Sequence, residues 1–109
     1  MIKVEEISGI GQFIVSQRKE EGAAENEVFD QIFSVPDGKV FLVIRPKTLE
    51  VRCDAKLRNL LREKYESVME SRYFGRGGIE IVDSGQLTQE EIEDLVRLSY
   101  NLTLVMEEE

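Results

Sequence analysis

Arg52, Arg58, Arg62, Arg72 and Arg76 fall between positions 52 and 76, with Lys56 among them. Guanidinium groups bind phosphate and carboxylate oxygens through paired hydrogen bonds, so these five arginines are the candidate anion or nucleic-acid contacts. Arg58 and Arg62 stand four residues apart in a stretch that reads as a helix, which puts them on one face. The plainer and favoured reading is that they pair with Glu63, Glu66 and neighbouring acids, each exposed pair being worth well under ~1 kcal/mol. Gly75-Arg76-Gly77-Gly78 has the composition of a backbone nest for an anion. It lacks the Lys-Ser/Thr of a phosphate loop and is followed by strand-like sequence, so a flexible connector is the better reading. Gly9-Ile10-Gly11 lacks the third glycine of a dinucleotide fingerprint.

The remaining chemistry narrows quickly. The chain has no histidine, which excludes Ser-His-Asp triads, Cys-His dyads and His-based zinc sites. The acid pairs Glu90/Glu91 and Glu93/Asp94 open a helix, where the macrodipole already accounts for them. Cys53 is the single cysteine; it ends an alternating strand on the face of Leu49 and Val51 and reads as a small buried hydrophobe without an activating base. No Asp-x-Asp-x-Asp-Gly calcium loop occurs. No catalytic group, cofactor or metal is expected, and the chain is read as a non-enzyme.

The chain has 109 residues, 41% of them hydrophobic and 33% charged, with a formal net charge of −8. One domain spanning 1–109 is the expectation. The charge is uneven: residues 45–76 hold nine basic and five acidic side chains, whereas residues 77–109 hold one basic and nine acidic. A polyanion would meet overall repulsion, with attraction confined to the middle segment. The longest unbroken apolar run, Val40 to Ile44, falls far short of the ~20 residues that span a bilayer. Glu5 and Glu6 stand where a secretory signal would be basic or apolar. A cytoplasmic protein that does not enter a membrane is expected.

The elements that must position these groups follow from periodicity. Ile7, Ile10, Phe13 and Ile14 predict a helix over 4–20, weakened by Gly9 and Gly11, with a loop at Gly22 to Asn26. Residues 28–35, 40–44 and 49–53 read as three consecutive strands, joined by turns at Pro36-Asp37-Gly38-Lys39 and Arg45-Pro46-Lys47-Thr48. Asp54 reads as the cap of a helix from Ala55 to about Met69, striped by Leu57, Leu60, Leu61, Tyr65 and Val68. After a glycine-rich loop over 72–78, Ile79 to Val82 reads as a fourth strand. Thr88-Gln89-Glu90-Glu91 is a capping box, and Ile92, Leu95, Val96, Ser99, Leu102 and Met106 continue at helical spacing. The order α-β-β-β-α-β-α predicts a two-layer α+β fold with an antiparallel sheet packed by helices. The expected core sets Leu57, Leu60, Leu61, Ile92, Leu95, Val96 and Leu102 against Phe41, Val43 and Val51.

Gly38-Lys39-Val40-Phe41, Leu49 to Asp54, Leu60-Leu61-Arg62-Glu63-Lys64-Tyr65 with Val68, and Ser99-Tyr100-Asn101-Leu102 resemble, in order and spacing, the MmcQ/YjbR family. The resemblance covers about residues 28 to 106. It implies a small α+β domain of antiparallel strands and flanking helices, with a "double-wing" description and an expected DNA-binding role. The sequence departs from the family where a basic stretch with His and Trp commonly precedes the fourth strand: Gly75 to Ile79 stands there, with Ile79 in the Trp position and only Arg76 basic. If that stretch carries a family function, this member has lost or altered it. The expected function is therefore a non-enzymatic binding or interaction domain whose partner is a protein or a second copy of the chain. The alternative is nucleic-acid binding through the basic 45–76 segment. With acids distributed through the domain, duplex DNA is expected to bind no tighter than roughly 10⁻⁵ M near physiological salt.

Overall fold

The computed structural model describes residues 2–18 and 30–106. A six-stranded, wholly antiparallel sheet runs in the order β1-β2-β3-β4-β6-β5, built from β1 (Ile14–Arg18), β2 (Asp30–Ser34), β3 (Val40–Ile44), β4 (Thr48–Arg52), β5 (Val68–Ser71) and β6 (Gly75–Val82). Two helices, α1 (Ala55–Lys64) and α2 (Gln89–Val105), share one hydrophobic core on a single side of the sheet, α1 against β5 and β6, α2 against β3 and β4. The α+β class with an antiparallel sheet is as expected; the number and order of elements differ.

The first difference is the N-terminus, where the expected helix over 4–20 does not form. A single 3-10 turn at Val4–Glu6 is followed by Gly9 at φ +87°, and Ile14–Arg18 becomes an edge strand paired with β2. Gly9 leaves the helical region of backbone space, which stops propagation, and a short helix holding two glycines has little intrinsic stability to resist this. The apolar spacing is satisfied by packing instead: Ile2, Val4 and Ile7 are buried in the core, with Ile10 and Phe13 against it. The expected loop at Gly22 to Asn26 lies outside the described residues, as do the first two residues of the expected strand over 28–35.

α1 stops at Lys64, not Met69. Tyr65 is extended, and Val68 opens β5, a strand the helical reading had absorbed. Tyr65 and Val68 continue the apolar stripe numerically but pack on the core from beyond the helix. Of the expected loop over 72–78, residues 72–74 form the turn between β5 and β6, and the glycine-rich 75–78 open β6. A Cβ at Gly78 would collide with the Val51 carbonyl and the Phe74 side chain, so the glycine there allows close strand approach and lends no mobility.

β3 contains the register shift that organises the sheet. Phe33 lies opposite Leu42 but Ser34 lies opposite Val40, leaving Phe41 as the extra residue of a bulge. Phe41 and Leu42 consequently both enter the helix-side core with Phe33, Leu49, Val51, Ile79 and Ile81. Val43, expected in that core, is fully buried on the other face, in line with Ile32 and Glu50. Of the expected helical core residues, Ile92, Leu95 and Val96 are buried and Leu57 and Leu61 half-buried, but Leu60 and Leu102 are exposed. Both fall at the margin of their helical stripe, where a helix resting on a flat sheet no longer touches it.

α2 is fastened by its own polar residues. Thr88 Oγ1 accepts from the Glu91 amide (3.1 Å) while Glu91 Oε1 accepts from the Thr88 amide (3.0 Å), the expected capping box. Ser99 Oγ donates to the Phe41 carbonyl (2.6 Å) and accepts from the Arg52 amide (2.8 Å), joining the helix to β3 and β4 at the bulge. Tyr100 meets the Phe41 ring edge-on at 5.0 Å, and its hydroxyl donates to the Gln12 carbonyl.

Candidate functional site

The five arginines do not form one surface. Arg52 lies opposite Gly78 at the end of β4; its Nε donates to the Val40 carbonyl (2.7 Å) and its guanidinium stacks over Phe74 at 4.8 Å. Burial pushes its pKa below the ordinary arginine value. Arg58, on α1, donates to the Arg76 carbonyl. Arg72 donates to Glu80 through Nε (2.9 Å) and Nη2 (2.6 Å). Arg52 and Arg58 thus bind the β5–β6 hairpin to β3 and α1, while Arg72 is neutralised by a carboxylate. Arg62 and Arg76 are exposed, and among the described residues neither side chain makes a hydrogen bond or ion pair. The structure brings Arg52, Arg58 and Arg76 to one end of β6 and leaves Arg62 a helical turn beyond Arg58. Gly75 to Gly78 forms neither the expected flexible connector nor a nest but laddered strand, with the Gly77 carbonyl accepting from the Cys53 amide.

On the sheet face turned away from α1 and α2 lies a charged network that sequence reading did not anticipate. Arg45 donates from Nε to Glu50 (2.6 Å) and from Nη1 to Asp30 (2.8 Å), both carboxylates being wholly buried. The other oxygen of Glu50 accepts from Ser71 Oγ (2.7 Å) and the Tyr73 amide (2.8 Å). Glu80 accepts from Thr48 Oγ1 (2.7 Å) as well as from Arg72. Burial opposes ionisation of Glu80, but the hydrogen bonds from Arg72 and Thr48 and the nearby Arg45 charge outweigh it and hold the carboxyl below its usual range. The signal was present in β4, where Glu50 occupies the second register of an alternating strand; only the bulge in β3 reveals that this register is buried. Removing one partner of a buried ion pair leaves the other charge uncompensated, so such pairs are costly to break singly.

Cys53 is buried, as expected, and burial pushes its thiol up to about 11, with the neighbouring Asp54 charge adding to the effect. A thiol with that pKa is not a nucleophile at neutral pH. Among the described residues no three His, Cys, Asp or Glu side chains converge as metal ligands, and no helix is long and apolar enough to cross a membrane.

What the molecule does present is apolar surface on α2. Leu98 is 54% exposed, Leu102 36% and Val105 77%, at i, i+4 and i+7 on one face. Leu104 and, on edge strand β1, Ile14 and Val15 are also exposed. Sequence reading placed Leu102 in the core and so missed this stripe, whose signal is that α2 has more apolar positions than one buried face accepts.

The motifs noted in the sequence have structural roles here. Gly38 takes the positive φ of its turn (+99°), Asp54 caps α1 by accepting from the Leu57 amide, and Ser99 and Tyr100 dock α2. No curated protein and no solved structure shows a significant match to the chain. A family model, YjbR, matches residues 19–102, the stretch that contains these turn, cap and docking residues, and the chain belongs to the YjbR family.

Proposed function

We propose that this YjbR domain is a non-enzymatic protein-interaction module whose contact surface is the outward face of α2. The observation that carries the reading is the exposed Leu98–Leu102–Val105 stripe, since grouped exposed apolar residues on a helix mark a contact surface more often than isolated ones. The polar groups suited to chemistry are committed elsewhere: Asp30, Glu50 and Glu80 to arginines, and Cys53 to the core.

Nucleic-acid binding through Arg52, Arg58, Arg62, Arg72 and Arg76 is the rival. In its favour are Arg62 and Arg76, exposed cations at one end of the domain. Against it, a contact made mainly of phosphate neutralisation needs several cations at once, and Arg52, Arg58 and Arg72 serve internal contacts.

A photo-cross-linking amino acid at Leu98 in living cells should capture a defined protein partner, and one at Pro36, in the β2–β3 turn, should not. Absence of capture from position 98 would refute the module. For the rival, labelled duplex titrated by fluorescence anisotropy should bind no tighter than roughly 10⁻⁵ M near physiological salt. Sub-micromolar binding lost on changing Arg62 and Arg76 to Ala would put nucleic acid first.

A further inference from the structure

The outward face of α2 is graded along its length. Its first two turns carry Glu90, Glu91 and Asp94, and its last two carry Leu98, Leu102 and Val105; Glu107, Glu108 and Glu109 follow in sequence. Steps of three and four residues put Glu91, Asp94, Leu98, Leu102 and Val105 in one line. An apolar patch therefore follows an acidic stretch along the helix, in a segment, residues 77–109, that holds nine acidic and one basic side chain. Arg97, that one base, is occupied by Asp94 (2.7 Å) and the Ser8 carbonyl (2.6 Å).

Electrostatics then chooses between occupants. A second copy brings the same net charge of −8 and the same acidic first turns of α2, so two copies repel each other. Contacts between helices are closer than the Debye length of about 8 Å at physiological salt, so screening does not remove this repulsion. A cationic partner meets attraction both at long range and at the rim. Resting on the reading of α2 as the contact surface, we infer that its occupant is a basic amphipathic helix of another protein, with its apolar side on Leu98, Leu102 and Val105 and its Lys or Arg side chains over Glu90 and Glu91.

The probe is a synthetic Leu/Lys amphipathic peptide of about 18 residues, long enough to form a helix once bound, titrated into the isotopically labelled full chain and followed by NMR. A Leu/Glu peptide of the same pattern is the control. The expected result is that amide shifts cluster over residues 90–105 and the Leu/Glu peptide gives none. The double variant Leu98→Ser/Val105→Ser should weaken binding about tenfold or more, and Glu90→Gln should flatten its salt dependence. Both positions are exposed, so the fold survives the changes, which circular dichroism checks. Shifts scattered away from α2, unchanged binding by the double variant, or equal binding of the acidic peptide would overturn the inference. So would a concentration-dependent dimer in sedimentation equilibrium that Leu98→Ser abolishes, since the occupant would then be a second copy. Capture from position 98 of a partner through a non-basic segment also overturns this inference but leaves the interaction module standing, whereas no capture at all removes both.

Discussion

Ser99 satisfies the Arg52 amide and reaches the Phe41 carbonyl with one hydroxyl, and Leu60, a far larger side chain, touches little of the core. The two make opposite predictions for truncation. Ser99→Ala strands a buried amide and should cost about 1–3 kcal/mol, whereas Leu60→Ala should cost less than about 0.5 kcal/mol; urea denaturation of both variants decides it, and a reversed order would place α1 in the wrong rotation. Cys53 gives a second test at this scale. With burial holding its thiol near 11, labelling by a thiol reagent in the native protein should be slow at neutral pH and rise steeply only toward that value, and rapid neutral labelling would contradict the burial. Cys53 was legible from sequence because alternation in β4 is regular up to it. Ser99 was placed on the buried face of its helix but not given its bonds, which depend on where two strands end in space.

At the scale of elements, the hairpin of β5 and β6 depends on what is absent from Gly78. Gly78→Ala should cost more than about 3 kcal/mol, because the added methyl meets backbone on β4 and cannot be relieved by a rotamer change. Arg76→Ala two residues earlier should scarcely move the melting temperature, so a parallel thermal scan separates backbone crowding from a general frailty of the strand. Periodicity located β3, β4 and the capping box of α2 well, since each has strong local signals. It failed for β1 and β5 because apolar residues at helical spacing say only that a segment packs on one side. At β1 the glycines and at β5 the extended Tyr65 overrule that spacing, and both strands depend on partners distant in sequence.

Across the whole molecule, the sheet has a dry apolar face under the helices and a buried ionic face behind it, and the second makes stability depend on acid. The Glu80 carboxyl is held below its ordinary 4.5 in the folded protein. Its contribution is therefore present above that value and lost as pH falls through the folded one. Arg72→Ala should lower stability at neutral pH, and the gap from the parent protein should narrow as pH drops below 4.5. A gap that stays constant in urea melts across that range would show that Arg72 acts through packing alone. The partners in this network were not legible in the sequence: Arg45, which neutralises Glu50, reads there as a turn residue, and Arg72, which neutralises Glu80, as a candidate anion contact. The pairing of β4 with β6 sets Glu50 opposite Glu80 on the same face. The candidate surface on α2 was barely legible: Leu102 alone of its residues falls on the stripe that periodicity assigns, and to the core, while Leu98 and Val105 lie off it.

The bulge at Phe41 gives β3 one residue more than β2 across the same span. Upstream residues and downstream residues obey opposite parity rules, and the one supernumerary residue is what lets a single five-residue strand supply both Phe41 and Leu42 to the side that α2 covers while Val43 serves the other. Length is thereby information in this strand. Deleting one residue between Gly38 and Leu42 would not shorten a turn harmlessly; it would transpose the two sides of the sheet from that point, sending Phe41 among the carboxylates. Any chain aligned with this one through Gly38-Lys39-Val40-Phe41 must keep that count, or else exchange apolar for charged residues along the strands that neighbour it.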